Sequence, residues 1–197
     1  MAATAPPPTE RVASILEATC RVVARDGAHG LRMAGVAREA GVSKALVHYY
    51  FATRQELLRN ALVFSETRWA EALDDELGGL PTGAARLERV LLVTVDPKSQ
   101  FSEQRALWNE VWSTLRFDDD LRPLVESYYR GWLERIVTLV EEGRADGSIP
   151  GTVNATDAGW RLAAAADGFD ALLYVGQVTR EDAARLLLGA LHRELSS

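Results

Sequence analysis

From residue 9 onward, apolar residues recur at steps of three and four, the period of helices that bury one side. Val12, Ile15, Leu16, Thr19, Cys20, Val22 and Val23 predict a first helix that begins at Thr9 or Glu10 and ends at Asp26-Gly27. Leu31, Met33, Val36, Ala37 and Ala40 mark a short second helix, and Leu46, Val47, Tyr50 and Phe51 a third. The break between these two, Gly41-Val42-Ser43, is too tight for a flexible linker and too polar for a helix interior. Gly41 can take the positive φ that ends one helix, Val42 can fill the angle, and Ser43 can cap the next. The pattern is that of a helix-turn-helix within a three-helix unit.

Thr53 followed by Glu56 has the spacing of a capping box and opens a long fourth helix toward Leu77, with Leu57, Leu58, Ala61, Leu62, Phe64 and Trp69 along it. Gly78 to Gly83 interrupts the chain. A helix over Ala85–Val95 buries Leu87, Val90, Leu91 and Val93 and stops at Asp96-Pro97. Further helices are expected over Ser102–Leu115, over Leu121–Glu142, from a cap at Asn154 or Thr156, and over Asp182–Leu195. The expected class is all-α, with about nine helices. The small residues Gly159, Ala163 to Ala166 and Gly168 leave a thin surface for close approach. On that basis the last two helices are expected to pair with their copies in a four-helix homodimer interface through Ala163, Ala166, Leu187, Ala190 and Leu191.

Composition narrows the class. The 197 residues are enough for a buried core, and the single Cys20 falls on an apolar helix face, where a buried thiol is expected rather than a reactive one. Met1 to Pro8 has three consecutive prolines and no charged stretch leading into an apolar run, so the reading there is a disordered arm and not a signal peptide. No apolar run reaches the roughly 20 residues that cross a bilayer, and a cytoplasmic protein without a membrane partner is expected. The net charge of -6 is unevenly spread. Residues 10–60 carry eight Arg or Lys against five Asp or Glu, giving +3, whereas the remainder carries 14 against 23, giving -9. The basic end holds the helix-turn-helix, as a nucleic-acid-binding head on an acidic body would.

Enzyme chemistry finds no support. The histidines stand apart at 29, 48 and 192, and there is no nucleophile elbow, no phosphate loop and no cysteine or histidine cluster with metal-ligand spacing. No cofactor or metal is expected. Asp118-Asp119-Asp120 precedes Leu121 and Pro123 and reads as acidic residues at a helix start, not as a magnesium site.

The third helix offers Lys44, Ala45, His48 and Tyr49, side chains suited to phosphates and base edges. From Val36-Ala37-Arg38-Glu39-Ala40-Gly41-Val42-Ser43 through Lys44-Ala45-Leu46-Val47-His48-Tyr49-Tyr50-Phe51 to Arg54, the chain resembles the TetR family of transcription regulators. Leu107-Trp108, Tyr129-Arg130-x-Trp132 and Glu142-Gly143-x-x-x-Gly147-x-Ile149 resemble its BetI-type subgroup. The resemblance implies a homodimeric repressor of a palindromic operator in double-stranded DNA, released by a small-molecule effector. It implies contacts to DNA from Arg32, Ser43, Lys44, Ala45, His48, Tyr49, Thr53 and Arg54, with Lys44 and Arg54 on phosphates. Three domains are then expected: the arm over 1–8, a DNA-binding domain over 9–54, and an effector-binding and dimerisation domain over 55–197. Ala45, His48 and Tyr50 depart from the family pattern where bases are read, and Arg32 stands where a small hydroxyl residue often caps the second helix. For the effector, Trp69, Trp108, Trp112, Tyr128, Trp132 and Phe169 are candidates to line a pocket, with Glu110, Asp167 or Asp170 close by for a cationic ligand, an apolar ligand being equally compatible. The alternatives are a helical small-molecule-binding or interaction protein without a DNA-binding role and, more remotely, a small helical enzyme.

Overall fold

Thr9 accepts a hydrogen bond from the Val12 amide and so starts the first helix of the chain, which the computed structural model describes over residues 9–96, 107, 108, 111 and 121–196. Eight helices occur among the described residues: α1 Glu10–Gly30, α2 Met33–Glu39, α3 Lys44–Tyr50, α4 Arg54–Gly78, α5 Gly83–Val93, α6 Arg122–Asp146, α7 Ala155–Tyr174 and α8 Arg180–Leu195. The all-α expectation holds. The helix expected over Ser102–Leu115, together with Trp112, Glu110 and the acidic triplet, lies outside the described residues apart from Leu107, Trp108 and Val111.

Side-chain caps set most of the boundaries. Ser43 accepts from Leu46 N at 3.1 Å, Thr53 from Glu56 N at 3.0 Å, Thr82 from Ala85 N at 3.2 Å, Asn154 from Asp157 N at 3.0 Å and Thr179 from Asp182 N at 3.1 Å. Each satisfies an amide that the first helical turn leaves without a partner, worth about 1 kcal/mol. Glu56 reaches back to the Ala52 amide at 2.8 Å, one residue ahead of the Thr53 cap, so the capping-box spacing works with a shifted partner. Gly27, with φ 76, breaks α1 where Asp26-Gly27 is expected to end it, and a short turn continues to Gly30.

The chain divides into two compact units, Met1–Ala70 with Glu103–Arg122, and Glu71–Ser102 with Pro123–Ser197. One break between the units, Ala70 to Glu71, falls inside α4. In the first unit α2 packs on α1 and on α3, around Ile15, Leu16, Val22, Val23, Leu31, Val36, Val47 and Phe51. In the second unit α7 and α8 pair along their lengths and both pack on α5. Leu87, Leu91, Ile136, Val140, Leu162 and Leu187 are buried there.

The positions expected at the dimer interface lie on the inner faces of α7 and α8. Ala163, Ala166, Leu187 and Leu191 are buried inside the subunit, and Ala190 is half-buried. The thin surface is used within the chain: a Cβ on Gly159 would stand 2.5 Å from Cγ2 of Val137, so α6 and α7 approach closely there. Helical spacing identified these positions as one face but could not say which neighbour fills it.

Candidate nucleic-acid interface and effector site

The turn before α3 forms as its residues require. Gly41 adopts φ 66, a region that side chains with a Cβ rarely enter. Ser43 then caps α3, and Val47 and Phe51 anchor its inner side, with Val47 fully buried. The opposite side is open. Lys44, Ala45, His48 and Tyr49 are all exposed, and Tyr49 shows 79% of its surface, a large aromatic left mostly open to solvent. Its ring meets the Tyr50 ring edge-on at 5.0 Å between centroids, which restricts where it can point. Ser43 and Thr53 spend their oxygens as acceptors in caps and keep their hydroxyl hydrogens to donate outward.

The two arginines assigned to DNA by resemblance behave differently from Lys44. Arg32 is exposed and makes no side-chain cap to α2; its Nη1 donates to the backbone oxygens of His29 at 2.7 Å and Leu31 at 3.1 Å. Arg54 is half-buried, and its Nη2 donates to the Ala28 oxygen at 3.0 Å. Behind them, Glu39 of α2 receives Arg21 Nε and Arg25 Nη1 of α1, both at 3.0 Å, and Arg25 also holds Asp26. The hydrogen bonds from Arg21 and Arg25 hold the Glu39 carboxyl below the usual range. These two arginines tie α1 to α2 within the head.

The six aromatic candidates for an effector pocket separate between the units. Trp69 and Trp108 lie in the first, where Trp108 donates its Nε1 hydrogen to Glu66. Tyr128, Trp132 and Phe169 lie in the second, each half-buried, and Trp112 is outside the described residues. A different pair stands out between α6 and α7. Tyr129 donates its hydroxyl to Asp167 Oδ2 at 2.7 Å. Asp167 is exposed, and partial desolvation of its carboxyl pushes it above the ordinary range against the lowering effect of the Tyr129 bond, while burial pushes the Tyr129 hydroxyl up. No ion pair reaches Asp167 among the described residues.

An open cavity of about 600 Å³ in the second unit lies among the end of α4, the start of α5 and α6. None of the aromatic candidates lines it, and its arginines are already engaged, Arg86 with Glu142 and Arg135 with Asp74, both at 2.5 Å. Among the described residues no group of three or more His, Cys, Asp or Glu could hold a metal ion, and no helix is long and apolar enough to cross a membrane.

On the outer side of α7 and α8, Trp160, Leu172, Tyr174, Val175 and Leu186 are exposed, with Trp160, Ala164, Gly168, Leu172 and Val175 at helical spacing on one stripe. This stripe was legible as an i, i+4 series but is interleaved with the inner face, so the sequence pattern alone merges the two.

A capped helix-turn-helix with an exposed polar recognition face, attached to an all-helical body, defines a helix-turn-helix regulator. Residues 15–61 match the sequence profile of bacterial regulatory proteins of the tetR family, and residues 81–196 that of the C-terminal domain of BetI-type transcriptional repressors. The chain belongs to the TetR family and carries a BetI-type C-terminal domain. The BetI regulator of Rhizobium meliloti is 31% identical over 120 residues, 59% of this chain and 58% of that protein. The match to the Brucella anthropi BetI regulator spans 66% of that protein, so for both relatives it falls short of two thirds of their length. A solved chain from Rhodococcus sp., assigned to the TetR family, is 27% identical with a TM-score of 0.82, covering 95% of this chain and all of that one. A regulator from Saccharomonospora viridis, solved in complex with choline, has a TM-score of 0.84 at 24% identity, covering 94% of this chain and 97% of its own.

Proposed function

We propose that the protein is a cytoplasmic, homodimeric transcriptional repressor that binds a palindromic operator and lets go of it when a small molecule occupies its C-terminal body. The observation that carries the reading is the outward face of α3. Lys44, Ala45, His48 and Tyr49 are exposed on a helix whose opposite side is locked into a core, as major-groove recognition requires. In this reading Lys44 meets a phosphate, Ser43 and Thr53 add hydroxyl donors, His48 and Ala45 face base edges, and Tyr49 adds a hydroxyl and a ring. Arg32 spends Nη1 on two carbonyls and would meet DNA through its remaining donors.

The dimer reading now rests on Trp160, Leu172, Val175 and Leu186, whose apolar exposure on α7 and α8 supports a contact between copies. Two heads on a two-fold axis then read half-sites spaced by whole helical turns, roughly 34 to 36 Å for adjacent ones. The effector's influence travels along α4, the helix common to both units, and shifts the population toward a state that fits DNA less well.

For the effector itself, the Asp167 carboxylate held by the Tyr129 hydroxyl, with Trp132, Tyr128 and Phe169 on the same two helices, supports a cationic ligand. Choline, seen with the Saccharomonospora viridis regulator, is the natural first probe. Tryptophan fluorescence is titrated with choline, other quaternary amines and polyamines. A saturable change supports the cation, while a response confined to neutral lipophiles removes it. DNA binding is tested by mobility shift with the duplex flanking the protein's own coding sequence. Lys44→Ala should weaken binding to every duplex alike and lower the slope of log affinity against log salt by about 1.8, about 0.9 for each of the two Lys44 copies in the dimer. An unchanged slope would remove Lys44 from the phosphate.

A further inference from the structure

Arg54 opens α4, yet its guanidinium is turned into the head. Its Nη2 donates to the Ala28 oxygen at 3.0 Å, and its Nε is buried with no hydrogen-bond partner among the described residues. Ala28 is fully buried and sits in the last turn of α1, directly after the break at Gly27. The same terminus holds a second guanidinium, since Arg32 donates to the oxygens of His29 and Leu31. The end of a helix leaves carbonyls without intrahelical donors and carries partial negative charge, so two arginines there complete it.

The consequence reaches α3. Only Phe51, Ala52 and Thr53 separate α3 from α4, Phe51 is buried, and Glu56 and Thr53 tie this connection to the first turn of α4. A displacement of that first turn is therefore passed to the recognition helix with little slack. With Nη2 on a buried carbonyl and Nε enclosed, that edge of the guanidinium is committed to the head and only Nη1 is left to face a phosphate.

We propose that Arg54 is a positioning residue, anchoring the start of α4 to the end of α1 so that α3 is presented at a fixed angle, and that it makes no phosphate contact. The proposal rests on the reading of α3 as the DNA-recognition helix. Its test compares wild type, Arg54→Ala, Arg54→Lys and Lys44→Ala on the flanking duplex across a salt series, with folding checked by circular dichroism well below each melting temperature.

The expected result is that folded Arg54→Ala binds several-fold more weakly while its salt slope equals that of wild type, because no phosphate contact has been lost. Arg54→Lys keeps the charge but lacks the planar fork, and is expected to bind more weakly with the same slope. If Arg54→Ala does not fold, Arg54→Lys alone decides, since a phosphate contact would keep near wild-type affinity with a lysine there. A slope lowered by about 1.8 in Arg54→Ala, about 0.9 for each copy in the dimer, or wild-type affinity in Arg54→Lys, overturns the proposal in favour of a phosphate contact. Wild-type affinity in folded Arg54→Ala overturns it in favour of a purely structural bond. Lys44→Ala separates the two readings. If it leaves affinity and slope at wild-type values, the assignment of α3 to DNA fails, whatever Arg54 does.

Discussion

Asp167 shows how a single residue can be costly to the free protein and useful to its function. Desolvation raises its carboxyl above the ordinary value, so the folded chain holds this proton more tightly than the unfolded chain. Stability from this group is therefore present below the unfolded value and is lost as pH rises through the folded one. At neutral pH the ionised carboxylate detracts modestly from stability, because Asp167 is exposed and solvent screens the effect while the Tyr129 hydroxyl opposes it. Asp167→Asn, which can still accept from Tyr129, should raise the melting temperature at pH 7, with the difference shrinking in acid. The same variant should lose any fluorescence response to quaternary amines. A lower melting temperature at pH 7 would mean the carboxylate is a structural group. The type of residue was visible in the sequence as one of several acidic candidates, but its desolvation and its tyrosine partner depend on how α6 and α7 meet.

At the scale of elements, the junction of α5 with the end of α6 is the tightest in the second unit. A Cβ on Gly83 would stand 2.2 Å from the backbone nitrogen of Gly143, and one on Gly143 would meet Ile149 at 2.5 Å. Side chains of the α6 terminus also cap α5, since Asp146 Oδ2 accepts from Gly83 N at 2.7 Å and Ser148 Oγ accepts from Ala84 N at 3.1 Å. Gly83→Ala sets a methyl against backbone that cannot rotate away, and should cost about 3 kcal/mol in urea unfolding, the upper end of overpacking effects. Cost below about 0.5 kcal/mol would mean the helices separate freely. Hydrogen bonds from Ser148 and from the Gly83 backbone hold the Asp146 carboxyl below its ordinary value of 3.8. Its contribution is then present at neutral pH and lost as pH falls through the lowered folded value. Asp146→Ala should be less stable than wild type at pH 7 and converge with it in strong acid; a pH-independent difference would count against the carboxylate as the cause. The caps at Ser43, Thr53 and Asn154 were legible in the sequence because a cap is a local event of three or four residues. The cap by Asp146, 63 residues from Gly83, was not.

At the scale of the molecule, the apolar stripe from Trp160 to Val175 with Leu186 is the surface most in need of cover. Trp160 exposes 53% of its surface and Val175 61%. Trp160→Arg should shift sedimentation equilibrium toward monomer and weaken operator binding without lowering helicity, while Leu187→Arg, at a fully buried position, should unfold the second unit. A Trp160→Arg protein that remains dimeric would move the interface elsewhere. What the sequence by itself determined was the helical class, the helix-turn-helix with its positive-φ glycine and serine cap, and the family, because hydrophobic period, turn chemistry and motif spacing are all properties of neighbours along the chain. Only the tertiary structure decided which side of α7 and α8 faces out, that Arg54 turns toward the end of α1, and which carboxylate receives the Tyr129 hydroxyl. Those outcomes are settled by residues far apart in sequence that compete for the same space, and a period of 3.6 residues says that a face exists without saying what will lie against it.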